Sequence, residues 1–344
     1  MDAGEPGSLV GIAMSTAAAI PLFLASLAAT LFAARQLARR LDRLGVRFGF
    51  PEALVGLMTA VAADGPEISS ALVALAKGEH GVSVGVLVGS NAFNLAAMLG
   101  VSALLAGAVV LARETLLLEG LVGLVITLIA AALLLRWLAV PVAAVLAGLT
   151  VGAYLVVVVG GYELLEHRAM PKRIADRLGR ALVSRTGHEA ASPTSSDPTH
   201  QLLALVVVDL VLIIASSFGM VQAAVTLGDH WGISRAALGV LVLAPLTSLP
   251  NAFTGVRLGL ARRGAALVGE AFNSNTINLG AGVVAPALFT ATALLTTTAK
   301  LQLGWVIGMT VVCIALLAAP RGMRRTGGAV LIACYCGFVA TQLA

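Results

Sequence analysis

The chain has 344 residues, 59% hydrophobic and 11% charged, with a formal net charge of +5 and a mean hydropathy of +0.97. That much apolar side chain excludes an ordinary soluble domain and points to a polytopic membrane protein. The positive charge does not signal a nucleic-acid binder, because the basic residues lie in short loops between apolar runs and not on one polar surface.

Apolar runs of roughly 20 residues, the length a spanning helix needs, are expected at 8–34, 51–76, 82–111, 115–135, 138–160, 201–227, 233–260, 265–293, 301–319 and 327–344. No basic residue precedes the first, so it is expected to be retained and not cleaved as a signal. Asp64-Gly65-Pro66-Glu67 interrupts the second. Proline removes a backbone donor and clashes with the preceding turn, so a kink is expected there. The carbonyls it frees, such as those of Val61 and Ala62, need partners, and a cation is one candidate. The third run carries Gly89-Ser90-Asn91-Ala92-Phe93-Asn94. Glu52 and Glu119 are expected at the membrane interface. In the second half, Asp209 is expected to snorkel from near the inner end of its span. Pro245 and Pro250 bracket Thr247 and Ser248, with Asn251 next, and Asn273-Ser274-Asn275-Thr276-Ile277-Asn278 follows in the next run. Trp137, Trp231, Trp305 and Tyr162 fall near span ends and suit an interfacial belt. Cys313, Cys334 and Cys336 lie in apolar segments and read as packing residues.

One long polar stretch, 161–200, contains Ser-Pro-Thr-Ser-Ser-Asp-Pro and reads as a solvated linker. It divides the chain into a first five-helix half, 1–160, and a second, 201–344. With both termini outside, 18 of the 22 Lys and Arg face inward and 4 outward. The positive-inside rule favours this topology, with the linker in the cytoplasm. Arg outnumbers Lys 19 to 3, which suggests a bacterial plasma membrane. Five spans is an odd number, so the two halves are expected to be inverted relative to each other.

The two halves carry matching polar groups. Glu67 to Ser90 is 23 positions, and so is Asn251 to Ser274. Ser90 and Asn94 are four apart, as are Ser274 and Asn278, and Thr247 and Asn251. Each pair therefore makes a narrow stripe on an apolar helix. Carboxylates and amides at membrane depth are costly and mark a functional site, and a repeated broken segment is a sign of a secondary transporter. Glu67 and Asp64 supply charge; Asn94, Asn251, Asn278, Ser90, Thr247, Ser248 and Ser274 supply neutral oxygens. No His or Cys joins them, so a hard cation suits the set better than zinc, copper or iron. Asp64 is expected either among the ligands or in an outer vestibule.

These motifs resemble the α-repeats of the cation/calcium exchanger family, which includes the sodium/calcium exchangers. Those repeats read roughly Gly-x-x-x-x-Ala-x-Gly-Thr-Ser-x-Pro-Glu and then Gly-Ser-Asn-x-x-Asn. The chain keeps Gly56, Pro66, Glu67, Gly89, Ser90, Asn91, Phe93 and Asn94, and then Gly239, Thr247, Ser248, Pro250, Ser274, Asn275 and Asn278. The resemblance implies that Glu67, Ser90, Asn94, Thr247, Ser248, Asn251, Ser274 and Asn278 coordinate transported ions. It also implies that the first span of each half moves to switch access. The chain departs from the pattern where Asn251 replaces a Glu, where Ala63 and Asp64 replace Thr-Ser, and where Glu270 stands for an Asn. Asp64 is expected to restore the lost charge.

The resulting expectation is an all-α membrane antiporter of about ten transmembrane helices in two inverted five-helix repeats. It would exchange calcium or another divalent for sodium or protons. The alternative on the same fold is a sodium/proton exchanger. No cofactor beyond the transported cations, no nucleic acid and no obligate protein partner is implied. An intramembrane enzyme would need Asp-rich clusters or two Asp on separate spans, which the chain lacks. A scaffold without transport is the remaining rival.

Overall fold

The computed structural model describes residues 14–50, 52–166, 198–290 and 296–343. Helix α1 (Thr16–Arg47) is followed by two short helices, α2 (Glu52–Ala63) and α3 (Gly65–Ala76). Then come α4 (His80–Ala106), α5 (Arg113–Leu134) and α6 (Val140–Glu166). The same order follows: a long α7 (Thr199–Trp231), a bent pair α8 (Arg235–Thr247) and α9 (Leu249–Leu260), α10 (264–287), α11 (Thr297–Leu317) and α12 (Arg325–Leu343). Seven of these helices are long and apolar enough to cross a membrane, or eight if the bent pair counts as one span. The expected linker 161–200 is entered by α6 up to Glu166 and left at Thr199, with 167–197 outside the described residues.

The sequence explains the breaks. Asp64 and Ser248 each stand just ahead of a helix whose first turn holds a proline, Pro66 or Pro250. Proline is tolerated there because its missing N–H is one the helix start cannot use. The second break bends the chain by 51°. α4 and α10 each contain a π-turn directly after their Asn-rich motifs, at Leu95–Gly100 and Gly280–Val284. Such turns are frequent at functional sites. α1 outruns its expected end at 34, because Arg35 to Arg47 contains no proline and keeps Leu37 and Leu44 on a buried face. The hydropathy falls there while the helix continues. α7 stops at Gly232, whose left-handed φ of 68° suits a glycine cap.

α4 is the centre of the molecule. In its most apolar window 78% of residues are buried, against 17% for α6. It packs on α3, α8, α10 and α11, while its last turns meet α9 and α12. α1 and α7 lie along each other at one side. They are joined by Thr30 and Ser216 at 2.7 Å and by an ion pair between Arg40 and Asp209. Asp209 is thus buried and paired across helices, not snorkelling. The outer faces of α6 and α7 expose Val145, Leu149, Val207, Val211 and Ile214, the dress of a lipid-facing surface. The departure from helix among the described residues is one short antiparallel pair, β1 (Ala108–Val109) with β2 (Met323–Arg324), in register Ala108↔Arg324 and Val109↔Met323.

Close approach of α4 and α8 depends on glycine, as small residues allow in membrane bundles. A Cβ on Gly239 would lie 2.6 Å from Val82 O and 2.8 Å from Val86 N. Both are backbone atoms and cannot rotate away. Gly239→Ala is therefore expected to lower stability by about 1–3 kcal/mol, the usual range for overpacking, despite alanine's better helix propensity. Thermal unfolding in detergent checks this, and an unchanged midpoint would show that the helices can separate at no cost.

Candidate cation site

Two carboxylates meet at the break between α2 and α3. Asp64 is 1% exposed and Glu67 fully buried. Across from them, α9 carries Asn251 in its first turn, and α10 brings Ser274 one turn before Asn278. Asn251 Nδ2 donates to Asp64 Oδ1 at 2.7 Å and lies 3.5 Å from Glu67 Oε1. The Ser274 hydroxyl donates to the same Asp64 oxygen at 2.6 Å. Asp64 thus sits inside the cluster and not in a vestibule. The three-residue spacing places it and Glu67 on the same side of the break, one in the bend and one in the first turn of α3.

The amide stripes converge from the other side. Asn94 Nδ2 donates to Ser274 Oγ at 2.9 Å and to Asn275 Oδ1 at 3.2 Å. Asn278 Nδ2 reaches Asn91 Oδ1 at 3.4 Å. Thr247 donates its proton to Leu243 O at 2.9 Å, which leaves the lone pairs of its oxygen for other partners. All nine expected site residues are buried. Six oxygens among them have no hydrogen-bond partner: Asp64 Oδ2, Glu67 Oε2, Ser90 Oγ, Asn94 Oδ1, Ser248 Oγ and Asn278 Oδ1. A buried polar atom left unsatisfied costs about 1–3 kcal/mol, more when charged, and a positive ligand among these six is one chemistry that would satisfy them. Among the described residues no ion pair reaches either carboxylate.

One orientation differs from expectation. Asn251 presents its NH2 group to both carboxylates, where an oxygen ligand was anticipated. Two carboxyl groups present acceptor oxygens, which attract the donor end of an amide. To coordinate a cation through oxygen it must turn over.

Asn91 and Asn275 lie off the predicted stripes, where a bond to a neighbouring helix is the expected role, and each donates to the other's backbone carbonyl, at 3.3 and 3.2 Å. Glu119, expected at the interface, is 1% exposed. Its Oε2 lies 3.2 Å from the Tyr154 hydroxyl, which also donates to Asn273 Oδ1 at 2.7 Å. Ser69 and Ser217 meet at 2.6 Å and tie α3 to α7 one turn from the carboxylates. A stripe on one helix shows which residues share a face; it does not show which face another helix will offer.

The profile of the sodium/calcium exchanger protein family matches residues 18–162 and 201–344. The putative antiporter CaxA of Alkalimonas amylolytica is 38% identical over 64 residues, 18% of this chain and 20% of that protein. The chain thus matches about a fifth of the length of this curated relative. Among solved structures, the sodium-calcium exchanger NCX_Mj soaked with 2.5 mM Na+ and 10 mM Sr2+ superposes with a TM-score of 0.58 at 18% identity, over 95% of this chain and 99% of that one. Native YfkE gives a TM-score of 0.59 at 14% identity, over 94% and 92%. These structures share the fold.

Asp64→Asn keeps an acceptor for Asn251 and Ser274 while removing a buried charge. In cation-free detergent the variant is expected to unfold at the wild-type temperature or above, as at sites where function costs stability. A fall of several degrees would show that the Asp64 charge is structural.

Proposed function

The chain belongs to the sodium/calcium exchanger protein family, a family of transporters and not of enzymes, and on that premise we propose that it is a secondary cation antiporter. Its cargo is a hard divalent cation, calcium above all, exchanged for sodium or protons by alternating access. The six buried oxygens without partners carry this reading, since they come from α3, α4, α10 and the two helix breaks. Calcium takes about 6–8 oxygens in irregular geometry and favours carboxylates. Asp64 and Glu67 would supply its charge balance, with Ser90, Asn94, Ser248 and Asn278 as neutral ligands. Thr247, Ser274 and, after rotation, Asn251 would complete the shell.

Exchange follows from electrostatics. Two buried carboxylates are neutralised by one divalent ion, two monovalent ions or two protons, and these alternatives exclude one another. The fully ionised pair is disfavoured in a closed, dehydrated state, so the protein changes face only when loaded. The transmembrane potential contributes about 2.3 kcal/mol per net charge and 100 mV. A sodium/proton exchanger is the second reading. It is favoured by the amide at 251, which stands where the second repeat of the family pattern has a Glu.

In this proposal the α2–α3 pair, the α8–α9 pair and α10 complete ten spans in two inverted halves, 1–160 and 201–344. The linker 161–200 lies in the cytoplasm and both termini outside. α1 and α7 form the sliding unit. They lie along each other, and few side-chain bonds, Ser69–Ser217 and Lys77–Gln222 (2.5 Å) among them, hold α7 to α3.

In proteoliposomes, calcium uptake driven by an outward sodium or proton gradient is expected for the wild type and lost in Glu67→Gln. Uptake of sodium with no response to calcium would favour the second reading, and no flux of either ion would sink both. For topology, a cysteine placed at Ser192 in a chain lacking Cys313, Cys334 and Cys336 should react with an impermeant maleimide only from the cytoplasmic face. Labelling from outside would invert the arrangement.

A further inference from the structure

We infer that Asn91 and Asn275 are positioning residues that determine which end of the Asn94 and Asn278 amides enters the cation site. The inference rests on the exchanger reading of that site and adds two residues which touch no ion. Asn275 Oδ1 accepts from Asn94 Nδ2 at 3.2 Å, and Asn91 Oδ1 accepts from Asn278 Nδ2 at 3.4 Å. Each bond crosses between α4 and α10, and the two are related by exchange of the halves. An amide whose NH2 end is held outward must point its oxygen the other way, and it is these oxygens, Asn94 Oδ1 and Asn278 Oδ1, that have no partner.

The orienting pair is itself anchored. Asn91 Nδ2 donates to Asn275 O at 3.3 Å and Asn275 Nδ2 to Asn91 O at 3.2 Å. Both side chains thereby commit their donors to backbone and keep their oxygens for the neighbouring amides. Asn91 is fully buried and Asn275 is 4% exposed, so water offers no substitute. An amide is nearly symmetric in shape, and a flipped Asn94 or Asn278 would fit the same space. Its NH2 would then face the carboxylates, as that of Asn251 does, and would repel a cation. The clasp is a device against that flip. Ser274 reinforces it at Asn94, whose Nδ2 has a second acceptor in Ser274 Oγ at 2.9 Å; Asn278 relies on Asn91 alone among the described residues.

The test separates orientation from packing. Leucine at 91 keeps the side-chain bulk but removes the acceptor. Aspartate at 278 has oxygen at both ends, so a flip no longer matters. Cation affinity is measured by calorimetric titration of the purified full chain with calcium and, separately, sodium. Asn91→Leu in the wild-type background is expected to weaken binding about tenfold to a hundredfold, the usual cost of losing an outer partner of a ligand. In the Asn278→Asp background the same substitution should cost a factor of three or less (roughly 0.6 kcal/mol). An equal loss in both backgrounds, or no loss in the wild type, overturns the inference while leaving the exchanger site standing. A wild type that binds neither ion overturns the site reading and this inference with it. Should Asn91→Leu fail to fold, Asn275→Leu measured with and without Asn94→Asp gives the same contrast, with a smaller loss because Ser274 still holds Asn94.

Discussion

Two carboxylates buried beside each other in an apolar bundle, with no cationic side chain against them among the described residues, set the terms for the rest of the structure. Charge at that depth is strongly opposed by desolvation. The protein answers in part with donors from the opposite half, Asn251 and Ser274, which converge on one oxygen of Asp64. The other oxygen of each carboxylate is left without a partner. Such an arrangement is poor as a structural ion pair and fits the exchangeable cation proposed for it.

Holding it together requires backbone irregularity in the right places. Each helix break brings a short polar segment to the site and follows it with a proline in the first turn of the next helix. π-turns follow the Asn-rich motifs in α4 and α10. Glycines 85 and 239 then let α4 and α8 approach until backbone meets backbone. The two central helices are stitched by reciprocal asparagine bonds, which couple the halves where their buried polar side chains meet. The α1–α7 pair has a different character, with a serine–threonine contact and one ion pair, Arg40–Asp209.

How much of this could be read from the chain depended on whether the signal was local. Asp64-Gly65-Pro66-Glu67 announces a break because proline acts on its own helix, and that break lies where it was expected. The repeated 23-residue spacing placed Ser90 and Ser274 relative to the two breaks. The end of α1 was misjudged because apolarity ends at Arg35 and helix propensity does not. Glu119 was assigned to the interface from its closeness to a span end, yet it stands six residues inside α5, about 9 Å along the axis. There Tyr154 of α6 provides a polar neighbour that no spacing rule reveals. The direction of the Asn251 amide is fixed by groups nearly 190 residues away in sequence, beyond any single-helix reading.

In the exchanger proposed here these mirrored oxygens enclose a cation. Anomalous diffraction from crystals soaked in calcium tests it most directly. One peak is expected at about 2.3–2.6 Å from a carboxylate oxygen of both Asp64 and Glu67, with Asn94 Oδ1 and Asn278 Oδ1 in its shell. A peak bound elsewhere, or a calcium-saturated protein whose carboxylates remain bonded only to Asn251 and Ser274, would contradict it.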